Sequence, residues 1–312
     1  MAKLRTVFMG TPEFSVPCLA KLAELTEVLA VITQPDKRQG RGQHIVFSPV
    51  KQFAVEHDLT VWQPDKIKND ESFMEQLAAL QPDLIVVVAF GQILPKRVLD
   101  IPRLGCVNVH ASLLPRYRGA APMQWSIING ENKTGVTTML MDVGLDTGDM
   151  LLKSEVEIGE NMNLEELHDC LMESGAELLV QTVTALEQGT AVREKQVDEL
   201  SDYAPMITKE TGRIDWTKDA AEIHNLVRGL DSWPGAYTSY GGKIFKIWQT
   251  RKTVAAVPAK PGEIIDINKE GLVVGTGNGL LAITELQAPG KKRMKAVDYL
   301  RGNKLELHSM FE

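Results

Sequence analysis

Two polar side chains that could perform acyl-transfer chemistry stand two residues apart near the end of an apolar run. The run at 105–110 has strand character, so Asn108 and His110 project to one face of a strand while Val107 and Val109 point to the other. An amide can donate a hydrogen bond to a developing oxyanion, and an imidazole can exchange a proton near neutral pH. A single polar pair of this kind is often only structural, so it needs a second indication.

A second polar cluster provides that indication. Residues 142–149 read D-V-G-L-D-T-G-D and follow another strand-like run at 135–141. Polar residues at the ends of neighbouring strands converge at one edge of an open α/β sheet. We therefore expect the loop that carries Asp146 to meet Asn108 and His110 in one site.

The elements that must position these residues alternate along the first two thirds of the chain. Strand-like runs at 4–9, 28–32, 60–62, 84–90, 106–110 and 136–141 are interspersed with helical patterns at 12–25, 71–80 and 164–186. A further helix begins at Ser48–Pro49, by N-cap and first-turn chemistry. The continuous apolar run 84–90 is typical of a central parallel strand covered on both faces. The sequence predicts an α/β fold with a doubly wound, mostly parallel, Rossmann-like sheet.

The remainder of the chain has a different character. We predict a catalytic domain at 1–187, a linker at 188–208 and a C-terminal domain at 209–312, in which a hairpin turns at Gly241–Gly242. Several short strands with glycine-rich turns indicate a partly open OB-like β-barrel, a fold that often binds nucleic acids. The net charge is −11 for residues 1–208 and +4 for residues 209–312, which favours a polyanionic partner for the C-terminal domain, although ordinary scatter explains +4 equally well.

Several classes of protein are disfavoured. Gly10-Thr11-Pro12-Glu13 does not match G-x-G-x-x-G, which argues against a nicotinamide oxidoreductase. The Asp146 cluster lacks the glutamate of a calcium loop, and three scattered cysteines form neither a zinc pattern nor a disulfide framework. The longest apolar run is too short to span a bilayer, and the chain shows no signal-peptide core. We expect a cytoplasmic protein without a metal, and a monomer.

Two basic segments could contact phosphates. The segment 34–44 is rich in arginine and glycine, as expected either for a solvated surface loop or for a phosphate clamp that orders on binding. The cluster 291–295 (K-K-R-M-K) is either soluble surface or a track for a nucleic-acid backbone.

The residues described above, taken together, carry a recognisable pattern. N-V-H-x-S-L-L-P-R-Y-R-G-A-A-P at 108–122, followed by D-x-G-L-D-T-G-D at 142–149, resembles the folate-dependent formyltransferase family. The resemblance covers nearly the whole chain, since it extends to 10–14, 33–36, 214–216 and 288–292. The basic loop, the R-Y-R-G-A-A-P continuation and the C-terminal domain favour the branch of the family that acts on aminoacylated initiator tRNA.

The resemblance implies a formyl donor, 10-formyltetrahydrofolate, which is consumed as a cosubstrate, and an acceptor, the α-amino group of methionine esterified to initiator tRNA. No permanently bound cofactor is implied. The implied catalytic residues are Asn108, His110 and Asp146. The implied folate-binding residues are Ser112, Leu113, Leu114, Pro115, Phe90, Gln92, Ile93, Leu94 and Val143. The implied tRNA-binding residues are Lys37, Arg38, Arg41, Lys209, Lys291 and Lys292. Met206 departs from the family, which commonly carries lysine there.

Three other functions remain open at this stage. A formyltransferase acting on an amino-sugar nucleotide and a formyltetrahydrofolate hydrolase can share the catalytic residues. A catalytically inactive RNA-binding protein on the same scaffold is the alternative from another class. The basic loop counts against the first two, and the intact set Asn108, His110 and Asp146 counts against the third.

Overall fold

A computed structural model describes residues 3–39, 44–253 and 258–312. The chain divides into two compact units. The first unit comprises Met1–Gly119, Gly135–Val156 and His168–Tyr203, and the second comprises Ala120–Thr134, Glu157–Leu167 and Ala204–Glu312. This division into compact units does not mark out a linker. The predicted domain boundaries, at 187/188 and 208/209, therefore stay a prediction.

The strands of the chain are short to medium in length. They are β1 (Arg5–Gly10), β2 (Glu27–Ile32), β3 (Lys37–Gln39), β4 (His44–Val46), β5 (Val61–Trp62), β6 (Leu84–Val88), β7 (Cys106–His110), β8 (Arg118–Gly119), β9 (Lys133–Leu140), β10 (Met150–Glu157), β11 (Tyr203–Ala204), β12 (Ala236–Tyr240), β13 (Lys243–Thr253), β14 (Ile264–Asn268), β15 (Gly271–Gly275), β16 (Leu280–Gln287) and β17 (Met294–Lys295).

The helices range from one turn to seven. They are α1 (Val16–Leu25), α2 (Pro49–Glu56), α3 (Glu71–Ala79), α4 (Lys96–Leu99), α5 (Pro122–Ile128), α6 (Leu164–Gln188), α7 (Ala220–Gly229) and α8 (Ala296–Leu300). Ser48 caps α2 as predicted, because its side-chain oxygen accepts a hydrogen bond from the backbone N–H of Lys51 at 3.1 Å. Among the described residues, no helix has both the length and the apolar character that crossing a membrane requires.

The first unit is built on a seven-stranded sheet with the order β10-β9-β7-β6-β1-β2-β5. The pairs β1–β2, β1–β6, β2–β5 and β6–β7 are parallel, whereas β7 and β9 are antiparallel. Every residue of β6 is buried, as expected for a central strand covered on both faces. The predicted doubly wound, mostly parallel α/β sheet is thus confirmed.

Helix α6 covers one face of this sheet beside β7 and β9. A Cβ atom added at Gly175 of α6 would lie only 3.3 Å from Cγ1 of Val109, and Thr182 of α6 shares a 2.8 Å hydrogen bond with Thr138 of β9. Val107 and Val109 are buried. Because strand side chains alternate, Asn108 and His110 point to the opposite face.

The second unit contains the antiparallel order β12-β13-β16-β15-β14, with β17 paired to β16. The hairpin β12–β13 turns at Gly241 and Gly242, both with positive φ, and pairs Tyr240 with Lys243 as predicted. Strands β12 and β14 are the two ends of the order, which fits the predicted, partly open OB-like barrel. Helix α7 packs Ile223 and Val227 into a core with Phe245 of β13.

Part of the basic segment 34–44 is a strand, because β3 pairs with β4 in an antiparallel ladder that joins Lys37 to Val46. Two local predictions were wrong. The strand expected to reach Phe90 ends at Val88, because Ala89 has a φ of 45° and turns the chain. The helical pattern expected from Pro12 begins as a 3₁₀ turn at Glu13–Ser15, and α1 follows it.

Candidate active site

Asn108 and His110 lie at the carboxyl end of β7, on the face that α6 does not cover. Strand β7 is parallel to β6, with Asn108 opposite Val87, so the loops that follow these strands leave the same edge of the sheet. Asn108 is half-buried, whereas the His110 side chain is only 7% exposed. The two side chains therefore project together, as the spacing predicted.

The imidazole of His110 has one nitrogen committed to the protein. Its Nε2 lies 3.0 Å from the carbonyl oxygen of Tyr117. A carbonyl oxygen only accepts, so Nε2 carries the hydrogen and donates it. Nδ1 is left as the nitrogen that can take up or release a proton during a reaction.

Asp146 faces both of these side chains. Its Oδ1 lies 3.5 Å from the amide nitrogen of Asn108, and its Oδ2 lies 3.8 Å from Nδ1 of His110. The same Oδ2 accepts a 2.9 Å hydrogen bond from the backbone N–H of Gly119. The structure thus brings the three predicted catalytic residues together in one cluster at the sheet edge.

The loop that carries Asp146 is fixed by its own hydrogen bonds. Asp142 Oδ1 accepts from the backbone N–H of Gly144 at 3.0 Å and from the hydroxyl of Thr147 at 2.7 Å. Gly148 is required by close approach, because a Cβ atom there would lie 1.7 Å from the carbonyl oxygen of Leu140. Asp146 itself has a φ of 54°, which a short polar residue tolerates.

Gln196 is a further positioning residue that the sequence did not indicate. Its side-chain amide donates 2.8 Å hydrogen bonds to the carbonyl oxygens of Asp146 and Gly148. The side chain lies 50 residues away along the chain from Asp146. A lone glutamine in a polar stretch gives no periodic signal, so only the folded chain identifies it.

The predicted folate loop follows β7 directly and is held by hydrogen bonds within the loop and to Thr137. Ser112 is buried; its hydroxyl donates to the carbonyl oxygen of Arg116 at 2.7 Å, and its own carbonyl oxygen accepts from the hydroxyl of Thr137 at 2.7 Å. Leu114 is buried and donates its backbone N–H to Thr137 at 3.1 Å. Leu113 and Pro115, in contrast, are half-buried.

The apolar residues predicted to contact folate fall into two groups. Phe90 and Leu94 are buried in the core of the first unit, so the protein covers their side chains. Ile93 is 79% exposed and Val143 is 72% exposed, although both are large aliphatic side chains. Exposed apolar groups flanking a polar cluster are typical of a ligand site. Gln92 is bonded to backbone groups at 64–67 and so braces the loop.

The predicted tRNA-binding residues belong to both units. Lys37 is exposed on β3, and Arg38 also belongs to β3. Arg41 lies outside the described residues. In the second unit, Lys209, Lys291 and Lys292 are exposed.

The base of the basic loop is fixed by an ion pair that the sequence did not indicate. Asp36 Oδ2 lies 2.5 Å from Nζ of Lys51, and Asp36 Oδ1 accepts from the side-chain amide of Gln63 at 2.9 Å. The hydrogen bond from Lys51 is the main reason that the pKa of Asp36 is lower than its usual value. Asp36 is therefore a carboxylate at neutral pH and anchors the start of β3.

The cluster at the sheet edge can perform acid–base and electrostatic chemistry on an acyl group. Cys106, on the same strand, is not a nucleophile, because burial raises the pKa of its thiol to about 12. Within the ranges that the structure describes, no group of three or more His, Cys, Asp or Glu side chains could hold a metal ion. An amide donor, an imidazole and a carboxylate remain, a set suited to stabilising a tetrahedral intermediate.

Comparisons with known proteins agree with this chemistry. Residues 4–183 match the model of the formyl transferase family, and residues 206–304 match that of the formyl transferase C-terminal domain. The chain is 53% identical over 304 residues to methionyl-tRNA formyltransferase of Clostridioides difficile. The alignment covers 97% of this chain and 98% of that protein. It is 54% identical over 303 residues to methionyl-tRNA formyltransferase of Clostridium botulinum, and this alignment also covers 97% of this chain and 98% of that protein.

A solved structure shares the fold at lower identity. The N-formyltransferase from Helicobacter canadensis, solved with folinic acid and dTDP-3-aminofucose, has a TM-score of 0.68 and 20% identity. The alignment covers 94% of this chain and 100% of that one. At this identity the likeness shows the fold alone.

Proposed function

Because the chain belongs to the formyl transferase family, we propose that it transfers the formyl group of 10-formyltetrahydrofolate to the α-amino group of methionyl initiator tRNA. The observation that carries the proposal is the convergence of Asn108, His110 and Asp146 at the sheet edge. The relatives at 53–54% identity, which are named methionyl-tRNA formyltransferase and match over nearly their whole length, support this choice of acceptor.

The proposed reaction forms one bond and breaks one. The neutral amine attacks the formyl carbon, a tetrahedral oxyanion develops, and the bond from the formyl carbon to N10 of the folate then breaks. One proton passes from the amine to N10. An α-amino group titrates near ~8, so no strong base is needed.

The three catalytic residues would divide this work. The Asn108 amide donates a hydrogen bond to the oxyanion, and such a donor typically contributes about 3–4 kcal/mol to the rate. Nδ1 of His110 serves proton transfer, since Nε2 is bonded to Tyr117. Asp146 would place a carboxylate 3.8 Å from Nδ1 of that imidazole.

Folate would bind beside this cluster. In this proposal, Ile93 and Val143 cover an apolar part of the folate, while the loop of Ser112, Leu113, Leu114 and Pro115 supplies the rigid floor. Phe90, Gln92 and Leu94 would hold the segment that carries Ile93 in place. The folate is consumed and regenerated elsewhere, and the mechanism uses no metal.

The tRNA would be held by cations of both units. Lys37, Arg38 and Arg41 would contact the acceptor end, and Lys209, Lys291 and Lys292 would contact backbone phosphates. We also propose domain boundaries at 187/188 and 208/209 and a monomeric state. The proposed location is the cytoplasm, where initiator tRNA is charged.

An acceptor-dependence assay tests the proposal. Release of tetrahydrofolate from 10-formyltetrahydrofolate is measured with methionyl initiator tRNA, with methionyl elongator tRNA, with an amino-sugar nucleotide and without an acceptor. We expect release to depend on the initiator tRNA, and to fall about a hundredfold or more in Asn108→Ala and His110→Ala. Release without any acceptor would identify a hydrolase, and release with the sugar nucleotide alone would assign a different acceptor.

A further inference from the structure

A polar cavity of about 450 Å³ lies within the second unit. Its lining includes none of the three predicted catalytic residues. It is bounded by α7, by the C-terminal half of β13 (residues 248–252) and by residues 160–163, which precede α6. This volume lies within the range of cavities that hold small organic ligands. The lining is polar and charged rather than apolar, so an ionic ligand suits it better than a hydrophobic one.

Arg228 of α7 is the most unusual residue of this lining. It is only 7% exposed, yet its guanidinium is bonded to neutral oxygens: Nε donates to Asn225 Oδ1 at 2.9 Å, and Nη1 donates to the carbonyl oxygens of Gly159 at 3.3 Å and Met162 at 2.8 Å. Burial lowers the pKa of Arg228 from its usual value. The nearby Glu160 carboxylate favours the charged form, but the hydrogen-bond partners of the guanidinium named above are neutral, so a further anion would stabilise it.

Positive charge exceeds negative charge around the cavity. The carboxylate of Glu160 is bonded to Lys252 at 2.5 Å, and that of Asp231 is bonded to Arg293 at 2.9 Å. Arg228 and Arg251 then remain as two further cations in the lining. A guanidinium group is well suited to the oxygens of a phosphate, and Arg228, whose Nε and Nη1 are already bonded, would offer Nη2.

His224 contributes position rather than charge. Its Nδ1 lies 2.9 Å from the hydroxyl of Thr250 and its Nε2 lies 3.2 Å from the carbonyl oxygen of Glu160. Burial is the main reason that its pKa is lower than usual. The imidazole is therefore neutral at neutral pH and ties α7 to β13 and to the segment at 160, which keeps the cavity in shape.

We propose that this cavity binds a phosphate group of the RNA backbone, with Arg251 and Arg228 as its cationic contacts. The choice of RNA rests on the proposed function, whereas the choice of phosphate rests on the cavity itself. The phosphate could also come from a free nucleotide, and the two sources are separated by experiment.

The test uses Arg251→Gln, since Arg251 is exposed on β13 and its replacement leaves the core unchanged. Lys269→Gln is the matched control, because it removes one exposed positive charge from the same unit outside the cavity. The affinity of the full chain for methionyl initiator tRNA is measured between 50 and 200 mM salt, with AMP and inorganic phosphate titrated separately. Turnover at saturating tRNA is measured in parallel.

We expect Arg251→Gln to weaken tRNA binding severalfold and to reduce the slope of log affinity against log salt by about one. Lys269→Gln should leave that slope unchanged and should keep the turnover of the wild type at saturating tRNA. If Arg251→Gln abolishes the binding of AMP or phosphate but leaves the salt slope of tRNA binding unchanged, the phosphate in the cavity does not come from RNA. No effect on either ligand would overturn the phosphate site. Failure of the wild type to formylate tRNA would instead overturn the proposed function, and the AMP and phosphate titrations would still test the cavity.

Discussion

The carboxylate of Asp146 lies 3.8 Å from Nδ1 of His110, while the opposite nitrogen of that imidazole is bonded to the Tyr117 carbonyl. This separation is too long for a direct hydrogen bond, so what Asp146 presents to the imidazole is its charge. Its firm contact is the 2.9 Å hydrogen bond from Gly119. The loops thus place the carboxylate beside both Asn108 and His110.

The substitution Asp146→Asn separates charge from position. An amide oxygen can still accept the Gly119 hydrogen bond, but no negative charge faces His110. We expect turnover to fall by about a hundredfold or more, corresponding to roughly 3 kcal/mol, with little change in the melting temperature. Steady-state kinetics and thermal unfolding check this.

Asp142→Asn is the matched control in the same loop. Its Oδ1 bonds Gly144 and Thr147 and is retained by asparagine. Turnover in this control should stay within about threefold of wild type. Equal losses in both variants would show that the loop, and not the Asp146 charge, limits the rate.

Much of this arrangement is predictable from the sequence, because it depends on local pattern. Strand β7 ends where expected, and the alternation of Val107, Asn108, Val109 and His110 fixes which side chains share a face. The hairpin at Gly241–Gly242 and the cap at Ser48 are equally local. Such features need only the chemistry of a few neighbouring residues.

Other features depend on contacts between distant residues. The distance from Asp146 to His110 results from the fold of a loop, and Gln196 braces that loop from a distant part of the chain. The Asp36–Lys51 ion pair and helix α5 carry no periodic signal that separates them from ordinary surface. Contacts between residues that are distant in sequence depend on the tertiary structure and not on the helix or strand propensity of the residues involved.

The exposed aliphatic residue Ile93 permits a test of folate binding that spares the core. Ile93→Ser removes apolar surface that is already in contact with solvent, so stability should not change. If Ile93 covers part of the folate, KM for 10-formyltetrahydrofolate should rise about tenfold, because roughly 1.4 kcal/mol of apolar contact is lost, and kcat should hold. Initial rates at varied folate concentration measure both values.

Val192 offers the matched control for that variant. It is 77% exposed, close to the value for Ile93, and it follows α6 rather than a strand of the catalytic edge. Val192→Ser should leave KM unchanged. A KM for Ile93→Ser equal to that of the control would remove Ile93 from the folate site.

Gly148 tests whether the catalytic loop depends on close backbone approach. In Gly148→Ala the new methyl group would meet the Leu140 carbonyl oxygen, so the backbone must move and Asp146 moves with it. We expect a loss of about 1–3 kcal/mol in the free energy of unfolding and a lower kcat. Gly302→Ala, where a Cβ meets nothing within 4 Å, should leave both unchanged. Wild-type stability in Gly148→Ala would mean that the loop relaxes freely.

The ion pair of Asp36 with Lys51 predicts a pH-dependent contribution to stability. The pKa of Asp36 is below its usual value of 3.8 in the folded state, mainly because Lys51 donates a hydrogen bond to the carboxylate. The unfolded chain binds its proton at the ordinary pKa, so the ionised form stabilises the fold above pH 4. This contribution is lost as the pH falls through the lowered pKa of the folded state.

A double-mutant cycle isolates this contribution. Denaturant unfolding of wild type, Asp36→Asn, Lys51→Met and the double variant gives the coupling free energy between the two side chains. We expect a favourable coupling at pH 7 that decreases below pH 4, as the pH falls through the lowered pKa of Asp36 and the carboxylate becomes protonated. A coupling of the same size at pH 7 and pH 2 would mean that the contact does not depend on charge. In that case Asp36 would hold the start of β3 through its neutral hydrogen bonds, including the one from Gln63.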